Sequence, residues 1–234
     1  MDDRHAYLLH GLVREYVRTA RPVGSVALSH VLELTASPAT VRALLHDLEV
    51  DGYLEQPHTS AGRIPTDKGY RHYVDHVQTR IFNEAQQRQI ERDFTEALVA
   101  YQQLTRATSK LLAHLSHAVA VSGSSKEGDV HETGWHEIFE QPEGREMHVA
   151  REISTVLNSV DEYLEELPQP GHVAVYIGRE NPFFPAQHIT VMIKSVALPG
   201  NHVVLGLVGP KRMSYERNIM LLEALAQAIS NKRL

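Results

Sequence analysis

The sequence predicts an α+β chain with helices first and a sheet last. Three observations carry this expectation: short helical stripes punctuated by turn residues, a long breaker-poor middle, and three apolar or alternating segments ahead of a final amphipathic helix. A chain of 234 residues can bury one good core and a smaller second one, so two folded domains at most are expected.

The first periodic block is RHAYLLHGLVREYVRT, in which Leu8, Leu9, Leu12, Val13 and Tyr16 fall at helical spacing. RPVG, Arg21 to Gly24, breaks it, and Ser25 is read as the N-cap of a short helix bearing Val26, Leu28, Val31 and Leu32 and stopping near Thr35. Ser37 followed by Pro38 opens a third helix, because a capping hydroxyl stands before a proline at the first helical position. Its stripe is Val41, Leu44, Leu45 and Leu48, and it ends at Gly52. Ala39, Thr40, Arg42, Ala43 and His46 are thereby left facing outward.

Three short helices fit either a small bundle or a helix-turn-helix whose last helix enters a major groove. The next segment favours the second. Tyr53 to Glu55 is long enough for one strand, and Gln56 to Pro65 reads as a polar, glycine-containing loop returning to the bundle, which is what a winged helix adds. Gly62 permits a positive φ at the tip, with the Thr59 and Ser60 hydroxyls offered to phosphate oxygens. Arg63, Lys68 and Arg71 supply cations, the last two on one face of a helix starting near Thr66. The candidate DNA-binding residues are Ser25, Ser37, Thr40, Arg42, His46, His58, Thr59, Ser60, Arg63, Lys68 and Arg71.

The formal net charge is -6, and Met1 to Arg80 carries nine basic against ten acidic residues, so DNA affinity would have to come from clustering. The absence of cysteine removes disulfides, thiolate nucleophiles and cysteine-ligated zinc. No apolar run reaches the ~20 residues of a membrane span, and MDDRHAY does not read as a signal peptide, so a soluble cytoplasmic protein is expected.

SPATVRALLHDLEVDGYLEQPHTSAGRIPTDKGYRHYVD, Ser37 to Asp75, with PVGS upstream, resembles the N-terminal winged-helix domain of the HrcA family of heat-inducible transcription repressors. IGREN, Ile177 to Asn181, and GLVGPKRMSY, Gly206 to Tyr215, resemble the C-terminal landmarks of that family. The resemblance implies a homodimeric repressor of chaperone genes that binds an inverted-repeat operator in double-stranded DNA and depends on a GroE-type chaperonin. It also implies a GAF-like C-terminal domain. Two departures stand out: Ala43 and Leu44 follow Arg42 where the family has an asparagine and a glutamate, and VSGSSKEGDV stands where the family carries an inserted dimerisation subdomain.

Beyond the wing, residues 81–121 read as one or two helices bearing Ile90, Phe94, Leu98, Leu104, Leu111, Leu112 and Leu115, either a dimerisation stalk or a layer on the C-terminal domain. Ser122 to Asp129 reads as a flexible linker. Arg151 to Leu167 is helical, with Val156, Leu157, Val160, Tyr163, Leu164 and Leu167 inward. Strands are expected at His172 to Gly178, His188 to Ala197 and Val203 to Gly209, with a turn at Pro199-Gly200 and a last helix capped by Ser214. The expected domains are thus 1–80, a winged helix-turn-helix; 81–121, a helical linker; and 122–234, a small α+β domain.

Catalysis is not expected. GLVGPKR has the spacing of neither phosphate-cradling glycine motif, no serine sits in GxSxG, and Glu180 lacks a partner carboxylate. Among fifteen histidines, His72 with His76 and His114 with His117 each supply two ligands where ~three or four are needed, so neither metal nor cofactor is assigned. His46 and His58 are candidates for coupling DNA affinity to pH. A second reading is a ligand-responsive regulator with Phe183 and Phe184 lining a small-molecule pocket or a partner surface.

Overall fold

The structure is a computed structural model that describes residues 1–59, 61–77, 82–125, 128–163 (backbone alone over 159–163), 171–182 and 186–232. It divides into two compact units, Met1–Val77 and Gln78–Leu234.

Unit 1 runs α1 (Asp3–Thr19), α2 (Ser25–Val31), α3 (Pro38–Val50), β1 (Leu54–Glu55), β2 (Ile64–Pro65) and α4 (Asp67–His76). Asp2 caps α1 by accepting from the His5 amide, and Leu8, Leu9, Leu12 and Val13 are buried as the periodicity requires. Helix α2 is shorter than expected. Gly24 occupies its cap position, Ser25 is its first helical residue and is buried, and Leu28 alone of the four expected apolar residues is fully buried. Helix α3 ends with Gly52 at φ +77°, and Thr66 caps α4 by accepting from the Gly69 amide at 3.2 Å. Leu54 pairs with Pro65 and Glu55 with Ile64, antiparallel.

Unit 2 holds α5 (Glu84–Tyr101), α6 (Leu104–Ser116), β3 (Val119–Ser124), β4 (Asp129–Thr133), α7 (Trp135–Glu140), α8 (Met147–Tyr163), β5 (Ala174–Ile177), β6 (Ile189–Leu198), β7 (Asn201–Pro210) and α9 (Tyr215–Asn231). The five strands form one antiparallel sheet in the order β4-β3-β7-β6-β5. Val119, Val121, Val191, Ile193, Val204 and Val208 face Ile138 of α7 and Val149, Ile153 and Val156 of α8. The opposite face, including Met192, Leu205 and Leu207, is covered by α6 and α9. This is the α+β, GAF-like unit anticipated for the C-terminal region.

Two expectations are corrected here. Over the described residues 82–121 the expected helical linker is instead a layer of unit 2, the second of the two readings given for it: α5 and α6 break at Gln102 (φ 56°) and bury Ile90, Phe94, Leu104, Leu111 and Leu112 there. Ser122 does not open a linker either, for every residue of β3 is buried and Val119 to Ser124 pairs with Val208 to Val203. Small residues are tolerated there because the neighbouring strand and α6 supply the packing that the side chains lack. Both faces of β6 are covered, so the alternation read from its sequence marks two apolar layers rather than one wet face.

Candidate nucleic-acid interface

The outward surface of unit 1 follows from local rules. Ser37 accepts from the Thr40 amide at 3.2 Å, and the two hydroxyls lie 3.0 Å apart, so α3 starts where a donor-less Pro38 fits its first turn. With Val41, Leu45 and Leu48 inward, helical geometry exposes Ala39, Thr40, Arg42, Ala43 and His46. Leu44, expected inward, is half-buried at the edge of the stripe.

Arg42 borders a cleft of about 510 Å³ whose other walls include Gly24 to Val26 of the α2 start and Gln56, Thr59 and Arg63 of the hairpin. The fold thus brings four of the expected site residues, Ser25, Arg42, Thr59 and Arg63, to one opening. They are not equivalent. Ser25 is buried, and its carbonyl accepts from the Ser29 hydroxyl at 2.8 Å, so its expected capping role passes to the Gly24 backbone. His58 and Thr59 are exposed on the loop, while Ser60 lies outside the described residues.

The four cations also differ. Arg63 donates from Nε and Nη2 to Glu49 Oε2 at 3.1 and 3.0 Å. Lys68 donates from Nζ to the Asp51 carbonyl at 2.7 Å and stands 4.2 Å from the centre of the Tyr53 ring. Arg71 pairs with Asp75 at 3.2 Å. Among the described residues Arg42 alone of the four makes no hydrogen bond or ion pair, which leaves its planar guanidinium available for an external acceptor.

Gly62 is required for a reason other than the one the sequence suggests. Its φ is not positive; instead a Cβ there would collide with the Val23 carbonyl group and the Gly24 nitrogen. Val23 and Arg63 exchange both backbone hydrogen bonds at 2.9 Å across this approach. Gln56, not singled out in the sequence, shapes the loop by donating to the Thr59 and Ala61 carbonyls at 3.1 and 2.8 Å. The signal for it is weak: a polar residue after a strand is compatible with many loops.

His72 and His76 stack at 4.1 Å, and α1 adds His10, whose ring centre is 5.5 Å from that of His72. Burial, and then the neighbouring His76, lower the affinity of His72 for a proton. His117 follows α6 at φ 54°, and its Nδ1 lies 2.9 Å from Glu137. Among the described residues no group of three or more histidines and carboxylates is arranged to hold a metal ion. Glu180 is used structurally, accepting from the Ile177 amide at 3.0 Å.

Unit 2 has its own opening, a cleft of about 590 Å³ between β6, α5 and α9. Lys194 on its wall pairs with Glu223 at 2.7 Å and also donates to the Gly171 carbonyl. Phe183 and Phe184, expected to line a pocket, lie outside the described residues. No described helix is long and apolar enough to cross a membrane.

Fold and site together define a two-unit α+β protein, with an open polar helix face beside a hairpin in one unit and a helix-covered antiparallel sheet in the other. The profile of the family described as "HrcA protein C terminal domain" matches residues 68–219, and the chain belongs to the HrcA family. The heat-inducible transcription repressor HrcA of Symbiobacterium thermophilum is 45% identical over 122 residues, 52% of this chain and 36% of that one. The protein of the same name from Desulfitobacterium hafniense is 36% identical over 169 residues, 71% of this chain and 49% of the relative. The chain therefore spans about half or less of the length of these relatives. A crystal structure described as that of a hypothetical protein matches with a TM-score of 0.74 at 19% identity, covering 98% of this chain and 96% of the other, and this likeness concerns the fold.

Proposed function

We propose that the chain is a DNA-binding transcription repressor of heat-shock genes whose unit 1 is a winged helix with α3 as its recognition helix. The observation that carries this reading is Arg42, an exposed arginine flanked by Ala39 and Ala43 with no partner among the described residues. Low neighbours let the helix seat deeply, and a free guanidinium can fork onto the O6 and N7 acceptors of guanine. Thr40, His46, His58 and Thr59 are the exposed polar groups around it. The names of the relatives, heat-inducible transcription repressors, support the same reading.

A single such unit reads too few base pairs to find one promoter, so the functional species is a homodimer on an inverted repeat, with half-sites one helical turn or a multiple apart. Regulation by a GroE-type chaperonin follows from the family resemblance. Arg42→Ala is expected to cost ~1–3 kcal/mol on the operator and far less on random duplex. Equal losses on the two duplexes in a fluorescence anisotropy titration would reduce Arg42 to a phosphate contact. Sedimentation as a monomer at micromolar concentration, with one half-site bound as well as the repeat, would remove the dimer.

The unit 2 cleft favours a second reading, a ligand-responsive regulator. A rise in Tm with a small molecule, abolished by Lys194→Ala, supports it; restoration of DNA binding by chaperonin without any small molecule supports the first.

A further inference from the structure

We infer that Arg63 and Glu49 form a strut that holds the hairpin at a fixed angle to the recognition helix, so that Arg63 serves DNA binding by positioning and does not touch phosphate. This rests on the DNA-binding reading of unit 1, but the strut itself can be tested without DNA.

The geometry is specific. Glu49 lies in the last turn of α3, and both Arg63 donors converge on one oxygen of it, at 3.1 and 3.0 Å. The side chains are 14% and 28% exposed, so the pair is far less hydrated than an ordinary surface ion pair. His46 Nδ1 lies 3.7 Å from the same oxygen. Through its backbone, Arg63 also exchanges two hydrogen bonds with Val23, the residue leading into α2. One residue therefore ties the hairpin to both helices of the helix-turn-helix, by side chain to α3 and by main chain to the α2 approach. Gly62, pressed against the Val23 backbone, leaves the loop little room to adopt another angle.

A strand pair of two residues on each side cannot hold an orientation by its own ladder. Turning Nε and Nη2 of Arg63 toward a phosphate would take them from Glu49, leaving that carboxylate uncompensated at the edge of a polyanion. That exchange is unfavourable on both sides.

The test is a double-mutant cycle on the full chain with Glu49→Gln, Arg63→Ala and the double variant, read by urea unfolding and by operator titration at several salt concentrations. The strut predicts that Arg63→Ala and Glu49→Gln each weaken operator binding by about fivefold, and that the double variant is no worse than either single. It also predicts that the slope of log K against log salt stays that of the wild type. A slope flattened by ~1 in Arg63→Ala, persisting in the Glu49→Gln background, would show a phosphate contact and overturn the strut. If Arg63→Ala does not fold, Glu49→Gln decides alone: weaker operator binding at unchanged slope supports the strut, and tighter binding with a steeper slope, from a released arginine, overturns it. If the wild type binds no DNA, the functional reading fails while the unfolding cycle still reports on the pair. Non-additive losses then support the strut, and additive losses overturn it.

Discussion

Two of the antiparallel hairpins, one in each unit, are built on opposite principles. In unit 2, β6 and β7 pair over ten residues each, from Ile189 with Pro210 to Leu198 with Asn201, and bury side chains on both faces. In unit 1, β1 and β2 pair over two residues each, and their shape is imposed by Gln56, Arg63 with Glu49, and the close approach of Gly62 to Val23. The long hairpin is held by burial shared among many residues, the short one by a few polar groups. The first tolerates most surface changes and fails through its core. The second rests on so few groups that a single side chain matters to its placement.

Four measurements sharpen or break this contrast. Leu205 is fully buried in the centre of β7, and Leu205→Ala is expected to cost ~2–5 kcal/mol by lost burial and a residual cavity. The sole tryptophan, Trp135 in α7, packs against the unit 2 core, so its fluorescence during urea unfolding reads that loss. A shift under about 1 kcal/mol would show that the sheet is not held by its core.

Gly62→Ala forces a methyl group into the Val23 backbone and is expected to cost ~1–3 kcal/mol. Gly200 in the β6–β7 turn provides the control. With φ +68° and open space where a Cβ would stand, alanine there costs only the ~1–2 kcal/mol of a left-handed backbone. Amide exchange over residues 54–65 should accelerate for the first substitution and stay unchanged for the second.

Gln56→Ala removes two hydrogen bonds to loop carbonyls that water can partly replace, for a loss of about 1 kcal/mol. The same exchange window reads it, with residues 189–210 as the unaffected reference.

The smallest effect is one of pH. The folded state resists protonating His72, so as pH falls below about 6.5 the unfolded chain takes up a proton that the folded one does not. The contribution of His72 is therefore fully present above that value and is lost as pH falls toward the lowered folded value. His72→Gln should flatten this dependence in unit 1 thermal melts between pH 7 and 5. An unchanged slope would mean that α4 is indifferent to the stacked pair.

The same contrast accounts for what was legible in the sequence. The start of α3, its stripe and its outward face are local, decided by Ser37, Pro38 and the spacing of Val41, Leu45 and Leu48, and they were read correctly. Strand β3 was not, because Ser122, Gly123 and Ser124 look like a linker until a partner strand far along the chain buries them. Arg63 was visible as a cation, but the carboxylate that claims it lies fourteen positions earlier on another element, and no local rule links the two. The exposure of Arg42 is legible because a helix face depends only on its own period. Exposure set by periodicity is legible directly, whereas contacts set by pairing between distant elements need the fold.

The pairing of β3 with β7 also puts a delay into synthesis. Strand β3 is complete at Ser124, while its partner begins at Asn201. At translation rates of roughly 5–20 residues per second, several seconds pass in which β3 has β4 on one side and its other edge unpaired. Unit 1 meets no such delay, since Leu54 finds Pro65 almost at once. A nascent chain of this protein would carry a finished helix-and-hairpin unit ahead of a half-paired apolar strand, whose open edge closes only when β7 emerges.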